Sequence, residues 1–334
     1  MWRERSRLVR LHRLWLTRHP RTFTEKVRYK MLRDRRPLVV VFADKAAVRD
    51  YVADVVGEQH LPQLHLLTDD PHTLADVRLP EACVVKPTHG SGAALIISGA
   101  AEPDARLPPP SAAWGYFHVR PEAALPAGLV ALGRAWLDQL YGLGPNREWA
   151  YGRIPRRILV EELLVGPDGG LPDDYKLFVF HGVCRYVQVD RGRFGDRTQD
   201  FFTRDWERLA LSGGLPWAAS TIERPHRLEE MVELAERLGS ETDFVRVDLY
   251  HLADRVVVGE LTSYPAAGDS YFDPPSYDEE FGAHWTPPAS YGRPAGAAGR
   301  SSSAASRVRR VSGLNPFATP HIAAWVRVVT PIFR

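Results

Sequence analysis

The sequence predicts a mixed α/β fold, built as one large domain or as two smaller ones, and three observations carry that expectation. Apolar runs of strand length recur along the chain: ACVVK at 82–86, AALIIS at 93–98, RILVEELL at 157–164, YKLFVFHG at 175–182, VCRYVQVDR at 183–191, and both halves of FVRVDLYHLADRVVVGELT at 244–262. Helical periodicity separates them, in TFTEKVRYKML at 22–32, AAVRDYVADVVG at 46–57, residues 129–141 and HRLEEMVELAERL at 226–238. The composition, 44% hydrophobic and 25% charged over 334 residues, is that of a globular chain able to bury a sizeable core.

Charge is distributed unevenly. Residues 1–36 hold 13 Lys/Arg against three acids, residues 291–334 hold seven Arg and no acid, and residues 37–290 between them carry a net −15. An acidic body with basic ends does not read as a nucleic-acid-binding surface, although either end could touch an anionic membrane or polymer. The two cysteines, Cys83 and Cys184, sit inside apolar runs and read as core in a reducing compartment. No apolar run reaches bilayer length and no signal-peptide core is present, so the expected location is cytoplasmic.

Taken in order, residues 1–20 place Leu8, Leu11 and Trp15 on one face of a basic helix, suited either to peripheral contact with the inner face of a membrane or to docking on its own domain. A second helix starts after Thr22 or Thr24 as cap. Pro37–Phe42, a continuous apolar run, reads as a strand leading into the helix that ends at Gly57, with Asp44 as its cap. The strands 82–86 and 93–98 flank Thr88-His89-Gly90-Ser91-Gly92, whose main-chain N–H groups can face an anion that Lys86 could also reach. It is not a P-loop, because the lysine precedes the glycines and a strand follows. Residues 100–128 read as a Pro/Ala-rich excursion, and the helix at 129–141 is expected to bury Trp136 and Leu140. The strand at 157–164 ends in Glu161 and Glu162. Lys176 shares a strand face with Phe178 and Phe180, either for a purpose or as an edge lysine reaching water along its stem. Residues 287–312 are low in complexity and expected to be disordered.

The hairpin at 244–262 holds the sharpest pattern. With Ala253-Asp254-Arg255 as the loop, residue 252 faces 256, Asp248 faces Glu260 and Arg246 faces Thr262, all four side chains on one face. Opposed carboxylates repel unless a cation lies between them. Two readings remain open: a hard cation such as Mg²⁺ held by oxygen ligands, or a solvated face with Arg246 neutralising the pair.

A nucleoside triphosphate needs lysines and backbone donors on its phosphates, a hydrogen-bonding strand edge for its base, and carboxylates for Mg²⁺. Lys45, Lys86 with its Gly-rich loop, Glu161-Glu162, Lys176, Asp248 and Glu260 follow in that order. The order resembles the ATP-grasp superfamily, and more closely its TupA-like (teichuronopeptide biosynthesis) branch. The resemblance rests on TFTEKVRYKMLRDRRP, FADKAAVRDYV, VVKPTHGSG, REWAYGRIPRRILVEELL, DDYKLFVFHG and FVRVDLY with GELTSYPAAG, and so covers residues 21–282.

The resemblance implies an ATP-grasp fold, two α+β subdomains clasping ATP behind a small N-terminal α/β lobe. The expected division is a basic helix at 1–20, the lobe at 21–80, a small subdomain at 81–160, a large subdomain at 161–286 and a low-complexity tail at 287–334. By the same resemblance Lys45 and Lys86 would hold the α- and β-phosphates, and His89, Gly90, Ser91 and Gly92 would close over the β- and γ-phosphates. Glu161 would accept from the adenine amino group while the backbone of Glu162, Leu163 and Leu164 pairs with the ring. Lys176 would lie near the phosphates, and Asp248 and Glu260 would bind one or two Mg²⁺. Many ATP-grasp enzymes carry asparagine where this chain has Thr262, a shorter oxygen ligand. The implied activity is a carboxylate–amine ligase working through an acyl phosphate on small-molecule acid and amine substrates, in surface polysaccharide or peptide–glycan biosynthesis. Arg246 and Arg191 are the candidates to steady the transferring phosphoryl group, Arg191 equally a plain ion-pair partner. Two rival readings are an ATP-grasp-type kinase acting on a hydroxyl and a non-catalytic nucleotide-binding protein on a membrane-associated assembly.

Overall fold

The computed structural model describes residues 19–142, 148–193 and 195–292. The expected N-terminal basic helix falls on residues 1–18, and nearly all of the expected low-complexity tail on 293–334, outside the described residues. Residues 287–292 are described and packed: Tyr29 Oη donates to Pro288 O at 3.1 Å and Tyr291 Oη to Asp243 Oδ2 at 2.7 Å. Residues 287–292 are therefore not disordered as expected, because Tyr291 supplies a half-buried hydrogen bond that the composition of the stretch conceals. No helix among the described residues is long and apolar enough to cross a membrane.

The chain is a mixed α+β fold with two five-stranded sheets. The first runs β1 (Leu64–Thr68), β5 (Ile158–Glu162), β2 (Cys83–Pro87), β3 (Ala94–Ile97) and β4 (Tyr116–Val119), antiparallel except for the β3–β4 pair. One face packs on α4 (Thr73–Asp76) and α5 (Pro126–Asp138) through Leu66, Cys83, Val85, Val160, Leu132 and Trp136. The other face turns toward the second sheet.

That second sheet runs β10 (Val256–Thr262), β9 (Phe244–His251), β6 (Asp174–Phe180), β7 (Val183–Arg191) and β8 (Thr198–Thr203), antiparallel throughout. Alternation sends Tyr175, Leu177 and Val179 into one core with Val245, Val247 and Leu249, under α3 (Ala47–Val55) and α6 (Leu228–Gly239). On the opposite face Phe178, Phe180 and Phe244 surround Phe23 of α1 (Phe23–Arg33), with Phe281 from α7 (Ser276–Ala283). Ring centroids there lie 5.1 to 6.1 Å from Phe23, and burying each such side chain is worth about 1.5–3 kcal/mol. Helix α1 starts where expected, in a capping box of Thr22 and Glu25.

Several expectations are corrected. Pro37–Ala43 is helix α2, not a strand. Pro37 starts it with a preset φ, and Val39 and Phe42, three apart, each enter a different core, so tertiary burial overrides the β-branched run. Residues 21–80 are shared between the sheets: α1, α2 and α3 pack on the second, while β1 is an edge strand of the first. The excursion at 100–128 contains β4. Leu140 lies beyond the end of α5 and is 63% exposed. Strands β1, β4 and β8 and helix α7 carry no clear pattern in sequence.

Candidate active site

The two sheets face each other across a cleft of about 600 Å³. Lys86 projects into it from β2 of the first sheet. Its ammonium pairs with Glu161 of β5, whose other oxygen lies 3.5 Å from Arg49 Nη1 of α3. Lys45, between α2 and α3, donates from its main chain to Thr88 O at 3.2 Å and from its ammonium to Gly90 O, so the Gly-rich loop is anchored to the second half of the protein. Burial pulls the Lys45 pKa below its ordinary value.

Within that loop the residues divide. Ser91 and Gly92 line the cleft. His89 does not: its imidazole is buried behind the loop, with Nε2 3.2 Å from Gln139 O and its ring edge-on to Trp114. Gly90 is required by close approach, since a Cβ there would stand 2.4 Å from the Trp114 ring. The expected closure of His89 over a ligand is thus replaced by a bracing role, because the aromatic wall formed by Trp114 offers the imidazole a buried place.

The second sheet supplies the opposing wall. Asp248 does face Glu260, and Arg246 does face Thr262, but by a different route from the expected register. Val256 pairs with His251, not with residue 252, and a bulge at Gly259 restores the offset. In a regular strand without that bulge Glu260 would share a face with Val256 and Val258 and point into the core. Tyr250 packs against the bulge, where a Cβ on Gly259 would meet its ring at 2.7 Å.

Arg246 grips Asp248 with two bonds, Nε to Oδ1 and Nη2 to Oδ2, both 2.7 Å, and donates to Thr262 Oγ1 at 3.3 Å. Thr262 in turn donates to Glu260 Oε1 at 3.2 Å. Lys176 lies on the central strand, not at an edge, with its ammonium 3.4 Å from Asp248, 3.6 Å from Asp190 and 3.7 Å from Asp174. Burial would lower the Lys176 pKa, but Asp248 and Asp174 outweigh it and raise it. Burial would likewise raise Glu260, but the charges of Lys45, Arg246 and Lys176 hold it below the usual carboxylate range.

A hard divalent cation fits this donor set in part. Glu260 has no ion-pair partner within 4 Å among the described residues and offers its carboxylate beside the Thr262 hydroxyl. Both Asp248 oxygens accept from Arg246, so Asp248 could ligate only by releasing one of those bonds. No cluster of three or more His, Cys, Asp or Glu among the described residues forms a closed metal site.

Glu162 also lines the cleft, but its carboxylate is engaged. It accepts Arg255 Nη2 at 2.9 Å on each oxygen and Gln63 N at 2.9 Å, tying the first sheet to the hairpin loop. After it Leu163 and Leu164 line the cleft, and their main-chain N–H groups have no acceptor among the described residues. Arg191 pairs with Asp173 at 3.0 Å on the half-exposed rim, the ion-pair alternative of the two expected for it. Groups missed in sequence include Arg49, Asp174, Asp190, Arg193 and Glu148. Arg193 pairs with Asp174 and lies 5.2 Å from the ring of Tyr116 on β4, bridging the two sheets. Burial and the charge of Glu260 push Glu148 up to about 7. Only the acid-rich DDYK stretch hinted at any of these; the rest converge from separate elements.

Residues 134–286 match a family model described as TupA-like ATPgrasp. Among solved structures the chain is similar to ATP-grasp ligase PsnB complexed with minimal precursor, at 14% identity over 68% of this chain and 55% of that one, TM-score 0.32. It is similar to D-alanine–D-alanine ligase from Helicobacter pylori, at 15% over 74% and 62%, TM-score 0.37, and from Bacillus anthracis, at 15% over 74% and 65%, TM-score 0.38. The chain therefore spans just over half the length of the PsnB chain it matches. No curated protein matches the sequence.

Proposed function

From residues 134–286 as a TupA-like ATP-grasp region, we propose that the protein is an ATP-dependent carboxylate–amine ligase. The observation that carries this reading is the convergence in one cleft of Lys86 from the first sheet with Lys45, Lys176, Arg246, Asp248 and Glu260 from the second half of the protein. Lys86, Lys45 and the loop at Ser91 and Gly92 hold the triphosphate, while the free N–H groups at Leu163 and Leu164 suit the edge of an adenine ring. Glu161 is engaged by Lys86 and Arg49, so its contact with the base requires Lys86 to turn to the phosphates. Mg²⁺ at Glu260, Thr262 and Asp248 would neutralise phosphate charge.

Arg246 is placed to steady the transferring phosphoryl group once one of its bonds to Asp248 loosens, and Lys176 keeps the Asp248 carboxylate in place. A substrate carboxylate oxygen attacks the γ-phosphorus, the bond to the β-phosphate oxygen breaks and ADP leaves. The amine, having given up its ammonium proton to solvent, attacks the acyl carbon through its nitrogen; phosphate leaves with the bonding pair and takes the proton released as the amide forms. This chemistry asks for positioning and charge neutralisation, which the cleft residues provide. The setting in surface polysaccharide or peptide–glycan biosynthesis, the cytoplasmic location and a peripheral membrane contact through residues 1–20 rest on the family resemblance and the charge pattern.

The test is ADP release from Mg·ATP with a panel of uronic and amino acids, with and without hydroxylamine. Acid-dependent formation of a hydroxamate is the expected result. A phosphorylated hydroxyl product with no hydroxamate would replace the ligase with a kinase.

A further inference from the structure

We propose that Glu148, Tyr141 and Tyr151 form the subsite that takes the ammonium group of the amine substrate. This deepens the ligase reading and rests on it for the identity of the reaction, though not for the existence of the subsite. All three side chains line the cleft. The two tyrosine rings meet edge to face at 4.8 Å, and Trp114 stacks on the outer side of Tyr141 at 5.4 Å, so the aromatic corner is held from behind.

The main chain of Glu148 is fixed. Its carbonyl accepts from Tyr151 N at 3.2 Å, and Gly142, at φ +79°, packs so closely that a Cβ there would stand 2.6 Å from the same oxygen. The side chain has no hydrogen-bond or ion-pair partner among the described residues. Glu161, Asp174 and Asp248 each face a lysine or arginine, and Glu260, though not in contact with a cation, lies in the field of Lys45, Arg246 and Lys176, whereas no cation among the described residues acts on Glu148. Burial, and after it the charge of Glu260, raise its proton affinity. A half-buried, unpaired carboxylate in the same cleft corner as two tyrosines is a site for a positive charge. An ammonium group gains an ion pair from the carboxylate and cation–π attraction from the rings. Neutral or anionic ligands gain neither. Glu148 thereby selects a cationic acceptor, while the lysines and Arg246 favour the carboxylic acid.

The binding arm titrates ethylammonium chloride into the full chain at mildly alkaline pH, followed by saturation-transfer NMR, with ethanol as the uncharged control. Saturable binding of ethylammonium and none of ethanol is expected, weakened about tenfold or more in Glu148→Gln and partly restored in Glu148→Asp, the scale of a lost ion pair with cation–π support. Equal binding by wild type and Glu148→Gln, or no binding by wild type, would overturn the subsite. The kinetic arm compares amide with hydroxamate yield, since hydroxylamine reaches the acyl group without an ammonium. Glu148→Gln should lower the amide-to-hydroxamate ratio about tenfold through a higher amine KM. An unchanged ratio would assign Glu148 to the earlier step and refute the proposal. If wild type yields no hydroxamate with any acid, the ligase reading falls while the ethylammonium titration still decides the subsite.

Discussion

In the proposed reaction, Arg246 is the residue on which the cleft chemistry would turn. Its planar fork holds both oxygens of Asp248 and reaches Thr262, so it orients two candidate ligands at once. A lysine keeps the charge and loses the fork. Arg246→Lys should therefore lower kcat for acid-dependent ADP release by about 10²–10³-fold, the usual cost of removing one preorganised donor. The change in ATP affinity should be much smaller. A kcat within a few-fold of wild type would remove Arg246 from the reaction. The Asp248–Glu260 pair was legible because each residue lies in a strand of obvious composition. Arg49 and Glu148 were not: both lie inside the motifs FADKAAVRDYV and REWAYGRIPRRILVEELL, but no local pattern marks either side chain for the cleft. Lys176 was noticed for its aromatic neighbours, and its three carboxylate partners only exist once β6, β7 and β9 are side by side.

At the scale of elements, the β9–β10 hairpin shows how a correct pairing can be reached through an incorrect register. Counting from a three-residue loop placed Glu260 opposite Asp248, and the Gly259 bulge compensates for a loop that is one residue longer. Glycine inside a strand is itself the sequence sign of a bulge. Gly259→Ala should force Tyr250 aside or straighten the strand, costing about 1–3 kcal/mol by overpacking, and it should reduce turnover by misdirecting Glu260. Urea denaturation and ADP release check both, and a variant with wild-type stability and turnover would show that the bulge is not needed. The helix at Pro37–Ala43 escaped because three consecutive valines favour a strand until both faces of the segment find separate cores. The edge strands β1, β4 and β8 are short and half polar, so alternation has few residues in which to declare itself.

For the whole molecule, a buried charge network holds α1 to the end of the second sheet, away from the cleft. Lys30 contacts Asp34 at 2.8 Å and Asp243 at 2.5 Å, and Arg36 contacts Asp34 at 2.6 Å. Burial alone would raise both acids, but hydrogen bonds and charge from Arg36 and Lys30 on Asp34, and from Lys30, Tyr291 and Trp285 on Asp243, hold them below the usual carboxylate range. Groups depressed in the folded state stabilise it fully above their unfolded pKa, about 4, and lose that contribution as pH falls through the folded values. Wild type should thus lose stability steeply below about pH 4, and Asp34→Asn should flatten that part of the profile, measured as urea midpoints against pH. Lys30→Met strands two acids and should cost about 3 kcal/mol at neutral pH, with Arg36 limiting the loss.

The central claim is that the two sheets contribute opposite halves of one Mg·ATP site, and its most direct test is calorimetric titration with a non-hydrolysable ATP analogue, with and without Mg²⁺. Lys86→Ala, from the first sheet, should weaken binding about tenfold or more in either condition, by loss of a charge-assisted phosphate contact. Glu260→Gln, from the second, should remove most of the Mg²⁺ dependence while leaving metal-free binding nearly intact. Binding that is untouched by both substitutions, or that never depends on Mg²⁺, would contradict the account.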